Sequence, residues 1–232
     1  MSSVAPAKRG RKADPAIQRG TAAGMKKGRL RTNWVAPPGP LADGLRVGLL
    51  GGSFNPAHRG HIHASEQALK RLHLDYVWWL VSLQNPLKAP RGMATFTKRL
   101  EAARGASRHP RIIVTGIEKS LDTRFTIDTL RALQRRFPKI RFVWLMGSDN
   151  LVQVPRWRNW QEIFRLVPVA VVARTGSALE SRLSKAATRF RAAFRPADAS
   201  FTGAKPPALT ILEAKRDPTS ATRLRVASTS RS

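Results

Sequence analysis

From Leu45 onwards, short apolar runs alternate with stretches in which apolar residues recur at helical spacing. Apolar runs of this length favour buried strands, and the helical spacing favours amphipathic helices. The predicted strands are Leu45–Leu50, Tyr76–Val81, Arg111–Val114, Ile140–Met146 and Pro168–Ala173, with a candidate sixth at Leu209–Leu212. The predicted helices are His58–His73, Phe96–Ser107, Ile127–Phe137 and Trp157–Leu166, with a short helix near the C-terminus. Strands that alternate with helices in this way predict right-handed βαβ units and a parallel sheet.

The predicted strands lack a strict alternation of polar and apolar residues, as is expected when both faces of a sheet are covered. The fold class is therefore α/β, a doubly wound, Rossmann-like parallel sheet with helices on both faces. The length of 232 residues corresponds to one large domain or two small ones. Because the alternation is continuous and contains no internal repeat, residues 45–232 are assigned to a single domain.

The segment before this domain, residues 1–44, has a different composition. It holds nine Lys and Arg residues against Asp14 and Asp43, is rich in Ala, Gly and Pro, and shows no apolar period. These features predict a disordered, basic N-terminal extension. It is as poor in acidic residues as an organelle transit peptide, but its glycines and prolines disfavour the amphipathic helix of such peptides. Met25 is an alternative start.

The net charge of +28 favours partners that are anions, namely nucleotides, RNA or acidic lipid, and does not choose among them. No apolar run approaches the length of a membrane span, and the N-terminus has no apolar signal region, so no membrane association is expected. The absence of cysteine excludes disulfides and thiolate metal sites, and fits a cytoplasmic location.

The segment that follows the first predicted strand, Gly51 to His61, carries the clearest functional signal. Its glycine pair lets the backbone approach a ligand closely and point amide groups at phosphate oxygens. A helix is predicted to open near His58, where its N-terminus favours an anion. His58 and His61 are three residues apart, so both imidazoles face the same side of the first turn. A zinc site is disfavoured because there is no cysteine and His63 points elsewhere, and no protein metal site is predicted.

With these residues in place, the segment resembles the signature of bacterial nicotinate-nucleotide adenylyltransferases, in the nucleotidyltransferase superfamily that shares a His-x-Gly-His motif. The resemblance covers residues 45–225 in order, and four further segments carry it. They are Asn85–Lys88, Phe125–Leu130, Met146–Leu151 followed by Trp157 and Trp160, and Ser220–Arg225.

The resemblance implies adenylyl transfer from ATP to nicotinate mononucleotide, with release of pyrophosphate and with Mg²⁺ bound to ATP. It implies His58, His61 and Arg225 as catalytic residues. The implied ATP-binding residues are Gly51, Gly52, Ser53, Phe54, Gly147, Asp149, Ser220, Thr222 and Arg225. The implied residues for nicotinate mononucleotide are Asn85, Lys88, Thr126, Trp157, Arg158 and Arg174.

Several of these residues also have a purely structural interpretation. Asp149 either accepts hydrogen bonds from ribose hydroxyls or caps a helix. Trp157 either stacks on the pyridinium ring or packs in the core, as Trp160 is expected to do. Ser220 and Thr222 suit a helix N-terminus that binds phosphate, but also an ordinary cap.

Other functions compete with this one. The acceptor could be nicotinamide mononucleotide or phosphopantetheine, or the chain could be a basic, RNA-associated protein on the same scaffold. The extension could contact nucleic acid, and the enzyme is expected to be a monomer or homodimer. Typical family members have more helix after the closing motif, whereas this sequence ends seven residues beyond Arg225.

Overall fold

The computed structural model describes Gly39 and residues 42–83, 92–174 and 178–214. The strands are β1 (Arg46–Gly52), β2 (Tyr76–Val81), β3 (Ile112–Thr115), β4 (Arg141–Gly147), β5 (Val169–Arg174) and β6 (Leu209–Ala214). The helices are α1 (Arg59–Arg71), α2 (Phe96–Ala106), α3 (Ile117–Leu121), α4 (Thr126–Arg136), α5 (Ser148–Gln153), α6 (Trp160–Leu166), α7 (Ala178–Leu183) and α8 (Lys185–Arg189). Short 3₁₀ turns lie at Val154–Arg156, Arg191–Ala193 and Ala199–Gly203.

The six strands form one parallel sheet in the order β3-β2-β1-β4-β5-β6. Val47 pairs with Tyr76 of β2 on one side and with Phe142 of β4 on the other. The order of the strands reverses between β1 and β4, and ligands of such sheets bind beyond the carboxyl ends of the strands at this point. The predicted fold class is confirmed.

The core lies on both faces of the sheet. Trp78 and Trp79 are adjacent in β2, so their side chains point to opposite faces. Trp78 packs in one cluster together with Trp144, while Trp79 packs in the other together with Phe54. This two-sided burial is the reason why the strands lack a polar alternation in the sequence.

Two helices differ from the sequence prediction by two or more residues at one end. The helix predicted over Trp157–Leu166 begins only at Trp160, because Trp157 is extended (φ −82°, ψ 147°) and Asn159 is left-handed (φ 48°). The helix predicted over His58–His73 is shorter at both ends, since His58 caps α1 and His73 is left-handed (φ 49°). The predicted C-terminal helix and most of the predicted extension lie outside the described residues.

The boundary between extension and domain stays a prediction. Two residues that the sequence assigns to the extension contact Lys139 in the loop before β4. The Lys139 Nζ atom lies 2.6 Å from Oδ2 of Asp43, and the Gly44 N–H donates to the Lys139 carbonyl at 2.9 Å. Within the described ranges, no helix has the length and apolar content that crossing a bilayer requires.

Candidate active site

Gly51 and Gly52 are the last two residues of β1 and open the segment 51–57 that leads to α1, called the glycine loop below. A Cβ atom on Gly51 would lie 2.5 Å from the Cη2 atom of Trp144, which is in the neighbouring strand β4. A Cβ on Gly52 would lie 3.4 Å from the Phe54 ring. Gly51 is therefore required for the close packing of β1 against β4, whereas the contact at Gly52 is an ordinary van der Waals contact.

Phe54 anchors this loop rather than offering its side chain to a ligand. Its ring is only 1% exposed and stacks on Trp79 at 4.9 Å between centroids. Its backbone has a φ of 47°, in the left-handed region. The Phe54 ring also lies 4.7 Å from the imidazole of His61. Of the predicted ATP-binding groups in this loop, Phe54 can therefore contribute only backbone atoms.

His58 and His61 lie side by side at the N-terminus of α1, with ring centroids 4.0 Å apart. Nδ1 of His58 accepts the Gly60 N–H at 3.1 Å, and Nδ1 of His61 accepts the His58 N–H at 3.2 Å. Because each Nδ1 is an acceptor, the proton of each neutral ring is on Nε2. Both imidazoles are thus hydrogen-bond donors through Nε2, as binding to phosphate oxygens requires.

The electrostatics of α1 favour an anion at the same end. The first turn contains no acidic residue, and Lys70 and Arg71 lie in the last turn. A helix of 13 residues has the positive end of its dipole at its N-terminus, where the two imidazoles already accept the His58 and Gly60 N–H groups. The helix dipole would therefore help to stabilise the charge of a phosphate bound beside the histidines.

Asp149 lies near this loop, just beyond the end of β4. The last paired residues of β1 and β4 are Leu50 and Leu145. Gly52 and Gly147 each follow two residues later, so they lie at corresponding positions at the ends of the two strands. A Cβ on Gly147 would lie 2.5 Å from Oδ1 of Asp149, so a larger residue at position 147 would shift the Asp149 carboxylate. Asp149 is exposed, in the first turn of α5. An exposed carboxylate at this position can accept hydrogen bonds from a ligand's hydroxyl groups.

A third group of predicted residues assembles around the N-terminus of α4. Thr126 is the first residue of this helix. The guanidinium of Arg158 lies 4.8 Å from the centroid of the Phe125 ring. Trp157 is half-buried and packs against one of the two core clusters. The structure therefore brings Arg158 to the Phe125–Thr126 segment, with Trp157 beside it in the chain.

Trp160 has the packing role that the sequence predicts. Its ring makes edge-on contacts with Phe164 and Phe190, both at 5.9 Å between centroids.

The remaining predicted site residues are not placed. Those outside the described residues are Asn85, Lys88, Ser220, Thr222 and Arg225. Arg174 ends β5, and only its backbone is described. Their roles stay predictions.

Two buried charged residues near the site were missed by the sequence analysis. Arg99 is 2% exposed, although it lies three residues after Phe96 and four before Ala103, on the apolar stripe of α2. This position in the helical pattern could have indicated a structural role, because an arginine on a buried helix face needs hydrogen-bond acceptors or an ion-pair partner. Glu118 is 8% exposed, and burial raises the pKa of its carboxyl to about 7.

Glu118 is held beside the segment that leads into α4. The Thr129 hydroxyl donates to its carboxylate at 3.4 Å and is 2.8 Å from the hydroxyl of Thr123. Glu118 was missed because α3 spans only five residues, too few to show a helical period. We assign the Glu118 carboxyl a structural role, because it contacts Thr129 in the first turn of α4.

Comparison with known proteins decides the family. Residues 49–227 match the cytidylyltransferase-like family. A protein of Parvibaculum lavamentivorans, named as a probable nicotinate-nucleotide adenylyltransferase, is 53% identical over 189 residues, which are 80% of this chain and 93% of that protein. The chain belongs to the nicotinate-nucleotide adenylyltransferase family. The resemblance stated from the sequence motifs is confirmed.

Further relatives agree with this membership. A Methylorubrum extorquens protein with the same name is 48% identical over 183 residues, which are 78% of this chain and 99% of that protein. The solved structure of Plasmodium falciparum nicotinic acid mononucleotide adenylyltransferase complexed with NaAD superposes with a TM-score of 0.57 at 15% identity. That superposition covers 78% of this chain and 83% of the other, and it shows that this family member shares the fold.

Proposed function

We propose that this nicotinate-nucleotide adenylyltransferase family member transfers the adenylyl group of ATP to nicotinate mononucleotide. The products are nicotinate adenine dinucleotide and pyrophosphate. The observation that carries the proposal is the pair of imidazoles of His58 and His61, whose Nδ1 atoms accept backbone N–H groups at a helix N-terminus directly after the glycine loop. The named relatives support the choice of acceptor.

The reaction needs no nucleophile from the protein. A phosphate oxygen of nicotinate mononucleotide forms a bond to the α-phosphorus of ATP. The bond from that phosphorus to the oxygen bridging to the β-phosphate breaks, and pyrophosphate leaves with the electron pair. Catalysis is then the alignment of two phosphates and the neutralisation of charge on the leaving group.

The described residues suit these tasks. The backbone of Gly51–Phe54 and the two imidazoles would hold the triphosphate, with donors already oriented before the substrate arrives. Asp149 would accept from the ribose hydroxyls of ATP. We assign Ser220, Thr222 and Arg225 to the same nucleotide on sequence grounds alone.

The acceptor would bind near the N-terminus of α4. Trp157 would stack on the pyridinium ring, whose positive charge suits an indole face. The cation of Arg158, which lies over the Phe125 ring, would favour the acid over the amide, because only the acid carries a carboxylate. Asn85, Lys88 and Arg174 stay assigned to this substrate from the sequence.

Magnesium fits the site as an ion that enters with ATP. In the parts of the chain that the structure describes, no group of three or more His, Asp or Glu residues is arranged to hold a metal ion. Mg²⁺ commonly keeps several waters and binds substrate phosphates through few protein ligands. The ion would neutralise phosphate charge, and His58 and His61 would supply the directed hydrogen bonds.

An acceptor panel tests the proposal. The purified protein is incubated with MgATP and, separately, nicotinate mononucleotide, nicotinamide mononucleotide or phosphopantetheine, and pyrophosphate release is followed. We expect the highest kcat/KM with nicotinate mononucleotide. Faster turnover with phosphopantetheine, or no turnover with any of the three, would refute it. The latter result would favour the alternative of a basic, RNA-associated protein on this scaffold.

Location, assembly and nucleic-acid contact are further proposals. We retain a cytoplasmic enzyme that is a monomer or homodimer, with an N-terminal extension able to contact nucleic acid. The support is the absence of cysteine and the nine cations of that extension.

A further inference from the structure

Arg99 is a buried cation that donates to four backbone carbonyls of the described residues. Its Nη1 atom donates to the Ser53 carbonyl at 2.6 Å and to the Ser82 carbonyl at 2.8 Å. Its Nη2 atom donates to the Leu83 carbonyl at 2.8 Å, and its Nε atom to the Ala94 carbonyl at 3.0 Å. One planar guanidinium thus makes four hydrogen bonds, and its remaining capacity is small.

These carbonyls come from three separate segments of the chain. Ser53 belongs to the loop that follows β1 and leads to the histidines. Ser82 and Leu83 directly follow β2, and Ala94 precedes α2. The Ser82 N–H also donates to the Gly52 carbonyl at 2.9 Å. The ends of β1 and β2 are therefore linked both by this bond and by Arg99.

A second side chain links the same segments. Nδ2 of Asn55 donates to the Gly92 carbonyl at 3.2 Å, and its Oδ1 accepts the Ala94 N–H at 3.2 Å. The side chains of Arg99 and Asn55 therefore both link the glycine loop to residues 92–94. Arg99 is the buried member of the pair.

The electrostatic setting of Arg99 is unusual. The ion pairs found among the described residues do not include it. Burial lowers the pKa of the guanidinium, but an arginine remains protonated at neutral pH. A buried charge without a carboxylate is tolerated only where polar groups surround it, so the four carbonyls are held in place by the same interactions that solvate the cation.

We propose that Arg99 is a positioning residue, which fixes the loop after β1 against the end of β2 and thereby aligns the phosphate-binding backbone for adenylyl transfer. Lysine cannot replace it, because a single ammonium nitrogen cannot reach carbonyls that are arranged around a planar fork. The contribution of Arg99 is alignment, since its guanidinium contacts the protein backbone and not the reacting atoms.

The test compares Arg99→Lys with Arg104→Lys, an exposed arginine on the same helix. The wild-type enzyme is assayed first, because the role of Arg99 rests on the adenylyl transfer proposed above. The folded fraction of each variant at the assay temperature is taken from its circular dichroism melting curve. We expect kcat per folded molecule to fall about 100-fold in Arg99→Lys and to stay unchanged in Arg104→Lys.

Two further measurements separate alignment from stability. The Kd for ATP, measured by calorimetry, should rise about tenfold in Arg99→Lys, which tests the loop even without turnover. Guanidinium at millimolar concentration should restore kcat in Arg99→Ala but not in Arg99→Lys, whose side chain fills the space.

The outcomes are distinct. A wild-type enzyme that releases no pyrophosphate with any acceptor refutes the proposed function. An active wild type together with unchanged kcat per folded molecule and unchanged ATP affinity in Arg99→Lys overturns only the role of Arg99. Loss of activity in proportion to the unfolded fraction, with no rescue by guanidinium, shows a structural residue and also overturns it.

Discussion

The backbone N–H of His58 donates to Nδ1 of His61, and this bond fixes the orientation of the second imidazole relative to the start of α1. The first imidazole is fixed in turn by the Gly60 N–H. The two rings therefore belong to the helix cap, and their Nε2 donors are oriented by the fold before any ligand binds. Both proposed catalytic side chains therefore also cap α1.

His58→Asn separates capping from catalysis. Asparagine is among the best N-cap residues, so the variant should keep the bond from Gly60 and the stability of α1. It lacks the imidazole donor, and we expect kcat to fall about 100-fold with little change in Tm. In His61→Ala we expect a similar fall in kcat together with a lower Tm, because the His61 ring also contacts Phe54.

His73→Asn is the matched control, since His73 is exposed and left-handed and Asn tolerates that conformation. Steady-state kinetics and thermal melting are measured on all three variants. A His58→Asn enzyme that turns over at the wild-type rate would remove His58 from the catalytic proposal.

Much of the architecture could be predicted because each strand is a local run of apolar residues. All six predicted strands occur, with ends shifted by two residues or fewer. The start of α6 could not be predicted, because the turn at Asn159 depends on a left-handed backbone that its neighbours do not signal. Helices of five or six residues, such as α3 and α5, are too short to show a period.

The site was predictable where its residues are adjacent in sequence. The glycine loop and the two histidines form one continuous segment, so their proximity follows from chain connectivity. Arg99 lies 46 residues from Ser53, and its role depends on carbonyls that only the folded sheet brings together. The contact of Arg158 with Phe125 is likewise a product of the fold.

Trp157→Ala should affect one substrate more than the other. Loss of stacking on the pyridinium ring is expected to raise the KM for nicotinate mononucleotide about tenfold, with a smaller change in the KM for ATP. Trp160→Ala is the control, because its ring packs on Phe164 and Phe190 and its loss should lower Tm without discriminating between substrates. Equal increases of both KM values in Trp157→Ala would indicate a structural tryptophan.

Glu118 should make the free energy of unfolding depend on pH. Its pKa is raised from 4.5 to about 7 by burial, so the folded state binds the proton more tightly than the unfolded state. The stabilisation is complete below pH 4.5 and is lost as the pH rises towards 7, by about 3 kcal/mol in total. Glu118→Gln should therefore be more stable relative to wild type at pH 8 than at pH 5.

Urea unfolding of the wild type and Glu118→Gln between pH 5 and pH 8 measures this difference. Glu101→Gln, which removes an exposed carboxyl on α2, is the control. Its free energy of unfolding should change with pH in parallel with that of the wild type. Parallel curves for Glu118→Gln as well would mean that the Glu118 carboxyl is ionised normally in the folded protein.

Removal of residues 1–41 should leave the enzyme active. It takes away nine cations and Asp14, which lowers the net charge from +28 to +20, and it keeps Asp43 for its ion pair with Lys139. We expect near-full turnover. If the extension contacts RNA, the slope of log K for RNA binding against log salt concentration should be smaller in magnitude by about one for each lost phosphate contact.

Fluorescence titrations of labelled RNA at several salt concentrations, with both proteins, measure that slope. An unchanged slope would indicate that the extension is solvated and does not contact RNA. Loss of turnover in the short protein would show that the extension belongs to the active enzyme.

The most direct test of the central claim is an internal competition between acceptors. The purified protein receives limiting MgATP and an equimolar mixture of nicotinate mononucleotide and nicotinamide mononucleotide, and the dinucleotides are separated and identified by mass. The ratio of the two products equals the ratio of the two kcat/KM values. We expect nicotinate adenine dinucleotide to predominate, with pyrophosphate formed in equal amount to total dinucleotide. A predominance of the amide product, or the absence of any dinucleotide, would contradict the assigned reaction.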